Sequence, residues 1–373
     1  MKKILFLTGT RADFGKVKSL IQILETHTEF EVFVFVTGMH LQREYGYTLI
    51  EIERCGFKSL YTFENHTHET TMDLTLAKTI EGLSKYVNHI NPNMILVHGD
   101  RVETLAGAIV GSLNNILVSH IEGGEISGTV DELIRHSVSK LSHIHFVSNE
   151  EAKKRLQQMG EINSSIFTIG SPDIDIMFSD NLPDLNTSKA YYGIDFQKYA
   201  IAMFHPVTTE ASEMEAYAFS FVDALLNDNH NYVIIFPNND RGSQYIINAY
   251  QKFEGNNRFR VFPSLRFEYF LTLLKNSQFI IGNSSAGIRE APYYGIPIIN
   301  IGTRQQNRAV HADIINCTYG EDSIKTALQS IDKHVITPTN ADFGSGNSAA
   351  LFLNTLLDAE IWKLNHQKQF RDI

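Results

Sequence analysis

The chain has 373 residues, 43% hydrophobic and 20% charged, the balance of an ordinary globular protein too long for one comfortable core. Its formal net charge of −10 argues against nucleic acid or an acidic membrane as the main partner. Two cysteines, Cys55 and Cys317, exclude a disulfide framework and lack metal-ligand spacing, which fits a reducing cytoplasm.

In chain order, the first strand-like run is Ile4 to Thr8, which ends too soon for the apolar core of a signal peptide. Further runs follow at Glu31 to Thr37, Met94 to His98, Ile116 to His120, His143 to Ser148 and Ile166 to Ile169. Amphipathic stretches such as Lys16 to Glu25, Thr75 to His89 and Glu103 to Leu113 lie between them. Strands separated by helices imply parallel βαβ units covered on both faces. A polar stretch around Ser179 to Ser188 marks a boundary. The pattern then restarts with Tyr199 to Met203, Asn231 to Phe236, Phe259 to Phe262, Phe279 to Ile281 and Pro297 to Ile301. Helices are expected at Glu213 to Leu226, Phe267 to Lys275 and Ile288 to Tyr293, and a last one over Ser348 to Gln369. The expected domains are therefore 1–180 and 181–350, both α/β and doubly wound. Residues 351–373 are expected to form a helix crossing back to the first domain.

In open parallel sheets, functional groups gather at the carboxyl ends of strands. Here those ends carry Arg11, Asp100, Glu122, Asp131, His205, Ser284, Ser285, Glu290 and Arg304. Gly282-Asn283-Ser284-Ser285 before a helix start is an anion-site pattern, although either serine is equally an N-cap. Arg304, at the next strand end, adds a guanidinium suited to phosphate. A local cluster of this kind outweighs the negative global balance, because screening confines surface charge to about 8–10 Å. Glu290 is placed to accept ribose hydroxyls, and Asn238-Asn239-Asp240 is a further polar strand end. Asp100 and Asp131 are each explicable as a turn former and an N-cap. Glu122, after an apolar strand and before two glycines, has no capping task. Carboxylates in different environments supply a base and an acid, and His205 is a proton shuttle or phosphate donor. TGTRADFG is neither a dinucleotide fingerprint nor a P-loop.

The segments TGTRADFGKVK, VTGMHLQREYG, HGDRVETLAGA, HIEGGEISGTVDELIRHSVSKLSHIH, FHPVTTE, PNND, IGNSSAGIREAP and GTRQQNR, in this order, resemble the UDP-N-acetylglucosamine 2-epimerase family. The resemblance runs from Arg11 to Arg308 and is closest to the hydrolysing branch, which supplies N-acetylmannosamine for sialic acid synthesis. TGMHL and HIEGGEISGTVDE carry that choice of branch, since the non-hydrolysing branch has TGQH and an acid-Ala-Gly-Leu-Arg pattern there. It implies a GT-B-like fold of two Rossmann-type domains with an interdomain active-site cleft, no cofactor and no metal. It implies that Ser284, Ser285, Glu290 and Arg304 hold diphosphate and ribose, that Leu265 lies near uracil, and that Arg11, Arg101 and His205 complete the anion site. Asp100, Glu122 and Asp131 match the catalytic carboxylates, and His40 is placed near the sugar. The expected partner is a UDP-sugar, with no nucleic acid or membrane, in a homodimer or tetramer. Read without the resemblance, the same residues also allow a glycosyltransferase or a nucleotide-sugar sensor.

Overall fold

The computed structural model describes residues 1–66, 71–127, 130–305, 314–331, 333–334, 336, 338 and 343–371. The chain divides into two compact units: Met1–Glu125 with Asp131–Phe178 and Ala341–Ile373, and Ile126–Val130 with Ser179–Asn340.

The first unit is built on strands β1 (Lys2–Thr8), β2 (Phe30–Val36), β3 (Leu60–Thr62), β4 (Met94–His98), β5 (Leu117–Ile121), β6 (Ile144–Val147) and β7 (Ile166–Thr168). They form one parallel sheet in the order β3-β2-β1-β4-β5-β6-β7. Strands such as Met94–His98 are apolar at nearly every position because helices cover both faces of the sheet. The order reverses between β1 and β4, so the carboxyl ends of these two strands open the crevice in which such sheets bind ligands. The second unit repeats the plan with β8 (Ala200–Met203), β9 (Tyr232–Ile235), β10 (Phe259–Phe262), β11 (Ile280–Gly282), β12 (Ile298–Ile301) and β13 (Ile314–Cys317). Its order, β10-β9-β8-β11-β12-β13, reverses between β8 and β11. No helix among the described residues is long and apolar enough to cross a membrane.

Several local expectations change. Strands β3 and β13 are further sheet edges that the apolar pattern did not mark: Tyr61 of β3 is exposed, and β13 is only half-buried. The first helix begins at Arg11, not Lys16, because Thr10 and Asp13 form a reciprocal capping box. Arg11 and Gly15 therefore both lie inside the helix. The expected helix Ile288 to Tyr293 is two single turns, Ala286–Arg289 and Ala291–Tyr294. Pro292 has no N–H to give the Ile288 carbonyl, so the helix breaks there and Glu290 sits at the junction. The terminal helix stops at Leu357, where Asp358 turns to extended backbone and caps a following 3-10 turn, Ala359–Lys363. Phe352, Leu356 and Ile361 fill the first unit's core, with Trp362 packed against it. The tail beyond is pinned by charge and hydrogen bonds. Lys368 Nζ donates to Ser142 O at 2.6 Å and to Glu161 Oε2 at 2.6 Å, and Glu161 also meets His145 Nε2 at 3.0 Å.

Candidate active site

In the first unit the carboxyl ends of β4 and β5 are tied together by one arginine. Arg135, 4% exposed on the helix Val130–Leu141, donates to Asp100 Oδ2 and to the carbonyl of Glu122. Asp131 lies four residues earlier, on the same face of that helix. The structure thus brings Asp100, Glu122 and the helix bearing Asp131 to one end of the sheet.

Glu122 has φ +63°, a left-handed backbone that a residue with a side chain adopts at a cost of about 1–3 kcal/mol. Its N–H donates to Phe146 O at 2.9 Å while its carbonyl takes Arg135, and these two bonds hold the conformation. Glu122 is 3% exposed, and its carboxylate accepts hydrogen bonds from Lys16 and Ser171, with the His98 ring close by. Lys16 Nζ lies 3.2 Å from Oε1 and 3.4 Å from Oε2, Ser171 Oγ donates to Oε1, and His98 Nε2 is 3.2 Å from Oε2. Lys16 also lies 3.2 Å from Asp173 Oδ2, so one buried ammonium serves two buried acids. The Lys16 and Ser171 contacts fix the carboxylate in one geometry.

Three expected ligand contacts of the first unit lie against protein groups. His40 is fully buried, with Nε2 3.0 Å from Thr8 Oγ1 and Nδ1 2.6 Å from Thr48 Oγ1. The ring therefore braces the turn after β1 and is not open to a sugar. Arg101 Nε lies 3.5 Å from buried Glu103, and Arg11 reaches Glu51 at 3.7 Å. Both guanidiniums remain partly exposed, at 21% and 16% of their side chains.

In the second unit Asn283 is the hub. It is fully buried, its Oδ1 accepts from His205 N at 2.6 Å, and its Nδ2 donates to His205 O at 2.8 Å. Its own carbonyl accepts from Arg304 at 3.2 Å and from Gln305 at 2.8 Å. The approach of β8 and β11 that allows this needs Gly282 at φ +135°, where a Cβ would stand 1.9 Å from Met203 O. His205 Nδ1 accepts from Asn238 N at 3.0 Å, so Nε2 carries the proton of the neutral ring. His205, Asn238, Ser284 and Arg304 are thereby gathered at the ends of β8, β9, β11 and β12.

The helix after the two serines is a single turn, so its dipole contributes little, and Ser284 Oγ accepts from Ala286 N at 3.3 Å. Any anion here is held mainly by the arginine and hydroxyls. Glu290 is 4% exposed and Leu265 5% exposed, deeper than a surface contact residue. Residues 306–308 and 128–129 of the sequence motifs lie outside the described residues.

Residues to which the sequence assigned no role turn out to be central: Lys16, His98, Arg135, Ser171 and Asp173, and Asn283, named only as part of a polar turn, is the hub of the second unit. One signal was present. Gly170-Ser171-Pro172-Asp173 follows β7 as a further polar strand end of the kind that marked the other candidates.

Residues 22–357 match the family described as UDP-N-acetylglucosamine 2-epimerase. The chain is 47% identical over 376 aligned residues, covering 100% of both chains, to a UDP-N-acetylglucosamine 2-epimerase of Neisseria meningitidis serogroup B. It is 33% identical to a hydrolysing UDP-N,N'-diacetylbacillosamine 2-epimerase of Legionella pneumophila, with 94% of each covered. Its fold matches that of a UDP-GlcNAc 2-epimerase from Methanocaldococcus jannaschii with a TM-score of 0.80 at 20% identity, covering 95% of this chain and 99% of the other. With two doubly wound parallel sheets and a match of this extent, the chain belongs to the UDP-N-acetylglucosamine 2-epimerase family.

Proposed function

We propose that the protein is a hydrolysing UDP-N-acetylglucosamine 2-epimerase that converts UDP-N-acetylglucosamine and water to N-acetylmannosamine and UDP. The observation that supports the reading is the juncture of Asp100 and Glu122 through Arg135 at one sheet end, beside the helix that bears Asp131, in a chain of this family. The substrate assignment is supported by 47% identity over the full length of a relative bearing that name, and the hydrolysing branch by TGMHL and HIEGGEISGTVDE.

The chemistry follows from what these groups can do. The hydrogen on the second sugar carbon is not acidic in the ground state, and stretching the anomeric C–O bond makes it so. A carboxylate takes that proton, the C–H electron pair forms the C1–C2 double bond, and the anomeric C–O pair leaves with UDP. Arg304, His205 and the serine hydroxyls of the second unit stabilise the departing diphosphate. The intermediate is 2-acetamidoglucal. A proton from one carboxyl group then adds to the second carbon from the opposite face, water adds to the anomeric carbon as it gives a proton to a carboxylate, and N-acetylmannosamine is released. Inversion through a planar centre calls for acids on two faces. Glu122, held in one geometry by Lys16 and Ser171, suits the base. Asp100 and Asp131 are less enclosed and suit proton delivery and water activation.

Incubation with UDP-N-acetylglucosamine in deuterated water, followed by NMR, tests the proposal. The expected products are free UDP and N-acetylmannosamine carrying deuterium at the second carbon. UDP-N-acetylmannosamine as sole product would place the enzyme in the non-hydrolysing branch. The relation to the Legionella enzyme supports a second reading, a UDP-2,4-diacetamido-trideoxy sugar as substrate. Turnover of that sugar without turnover of UDP-N-acetylglucosamine would establish it.

A further inference from the structure

We infer that the turn after β7, Gly170-Ser171-Pro172-Asp173, is a positioning element for Glu122, locked in place by the chain returning at residues 343–349. The inference rests on the reading of Glu122 as a proton-handling carboxylate.

The turn reaches Glu122 twice. Ser171, fully buried, donates its hydroxyl to Glu122 Oε1. Asp173, also fully buried, holds Lys16 Nζ at 3.2 Å, and Lys16 in turn holds both Glu122 oxygens. Pro172 opens the helix Pro172–Met177, and its fixed φ sets the angle between these two side chains. Neither Ser171 nor Asp173 has surface to offer a substrate, so each acts through another group.

The returning segment fixes the turn through its backbone. Ser171 N donates to Phe343 O at 2.7 Å. The chains cross glycine to glycine: a Cβ on Gly170 would lie 3.0 Å from Gly344 Cα, and one on Gly344 would lie 2.8 Å from Gly170 Cα. Two residues beyond the turn, Asp175 accepts from Ser348 N at 2.8 Å and Ala349 N at 2.7 Å, capping the helix Ser348–Leu357. A segment about 170 positions away in sequence thus sets where the Ser171 hydroxyl points.

The charged and titratable groups that face Glu122 are Lys16 from the first helix, His98 from β4 and Arg135 from the helix Val130–Leu141. Behind them lie Asp173 on Lys16 and Asp100 on Arg135. Beside these, Ser171 is a neutral donor whose removal changes no charge. Losing a hydrogen bond to the ionised form raises a carboxylate's pKa and weakens its hold on one geometry. A base must be ionised to act, so the acid limb of the kcat–pH profile should move to higher pH.

The test is Ser171→Ala made alone and together with Glu122→Gln. Ser171→Ala should lower kcat by about 10- to 100-fold, the worth of one charge-assisted hydrogen bond, with KM nearly unchanged and the acid limb shifted upward. The double mutant should be no slower than Glu122→Gln. Near wild-type activity in Glu122→Gln would remove the reading of Glu122 and this inference with it. Collapse of Glu122→Gln beside a Ser171→Ala enzyme of unchanged rate and pH profile would sink the inference alone. Losses that multiply in the double mutant would show Ser171 acting independently of Glu122, which also overturns it. Gly344→Ala pushes on the turn from the returning segment and should move the same acid limb, and a limb that stays in place would refute the lock.

Discussion

Lys16→Met removes a cation shared by two buried acids. In the native first unit the ammonium stands 3.2 Å from both Glu122 Oε1 and Asp173 Oδ2, and the three residues are 9%, 3% and 0% exposed. Methionine keeps the length of the apolar stem, so the main change is one of charge. Breaking a buried ion pair by deleting one partner costs about 3–5 kcal/mol, because the remaining charge is uncompensated. The two acids can lower that cost by retaining a proton, since like charges in proximity raise one carboxylate's pKa. The folded mutant then binds more protons than its unfolded chain, and stability falls as pH rises above the unfolded carboxylate range of about 4. The deficit relative to wild type should therefore be largest at pH 8 and smaller at pH 5. Trp362, the only tryptophan, packs against the first unit's core, so its fluorescence during urea unfolding reports that unit. A Lys16→Met protein as stable as wild type at pH 8, or one whose deficit does not shrink at pH 5, would falsify the shared-cation account.

Glu122→Gln should cut turnover by roughly 100- to 10,000-fold while leaving UDP binding nearly intact, and retention of more than about a tenth of the wild-type rate removes it from the catalytic set. Arg304→Ala should weaken UDP by about ten- to a hundredfold in calorimetry, the worth of a charge-assisted hydrogen bond, and unchanged affinity would place it away from the phosphates. Asn283→Ala strips both side-chain bonds from the His205 backbone and should also lower UDP affinity, with a melting temperature reduced by several degrees; a variant matching wild type in both would show that the hub is dispensable. Glu161 carries an acid-sensitive part of the stability. Burial alone would raise its pKa, but the hydrogen bond from His145 and the charge of Lys368 bring it down from 4.5 to about 2. The stabilisation is present above the unfolded value and is lost as pH falls toward about 2, amounting to about 3 kcal/mol before screening through exposed Lys140 reduces it. Glu161→Gln should therefore flatten the acid limb of the stability curve, and an unaltered limb would count against the assignment.

Much of the architecture was legible because it rests on local pattern. Apolar runs such as Met94 to His98 can only be strands buried on both faces, and their alternation with amphipathic stretches implies parallel sheets. Polar residues immediately after those runs fall at carboxyl strand ends, which is why Asp100, Glu122, His205 and Ser284 could be named from the sequence. Strands β3 and β13 were not legible, since each is short and largely outside the buried core. Nor was the break at Glu290, where the missing N–H of Pro292 outweighed a helical pattern.

What only the tertiary structure decided is which groups meet. Lys16 and Glu122 are 106 positions apart, Asn283 and His205 are 78 apart, and no local periodicity relates them. The left-handed backbone of Glu122 follows the same logic: sequence favours glycine at such a position, and the bonds to Phe146 and Arg135 hold glutamate there instead. His40 shows the converse, a histidine that reads as a site residue until Thr8 and Thr48 occupy both its nitrogens. Sequence determines which residues reach the strand ends because that depends on hydrophobic period alone. Whether such a residue faces ligand or protein depends on long-range neighbours, which only the folded chain brings within hydrogen-bond distance.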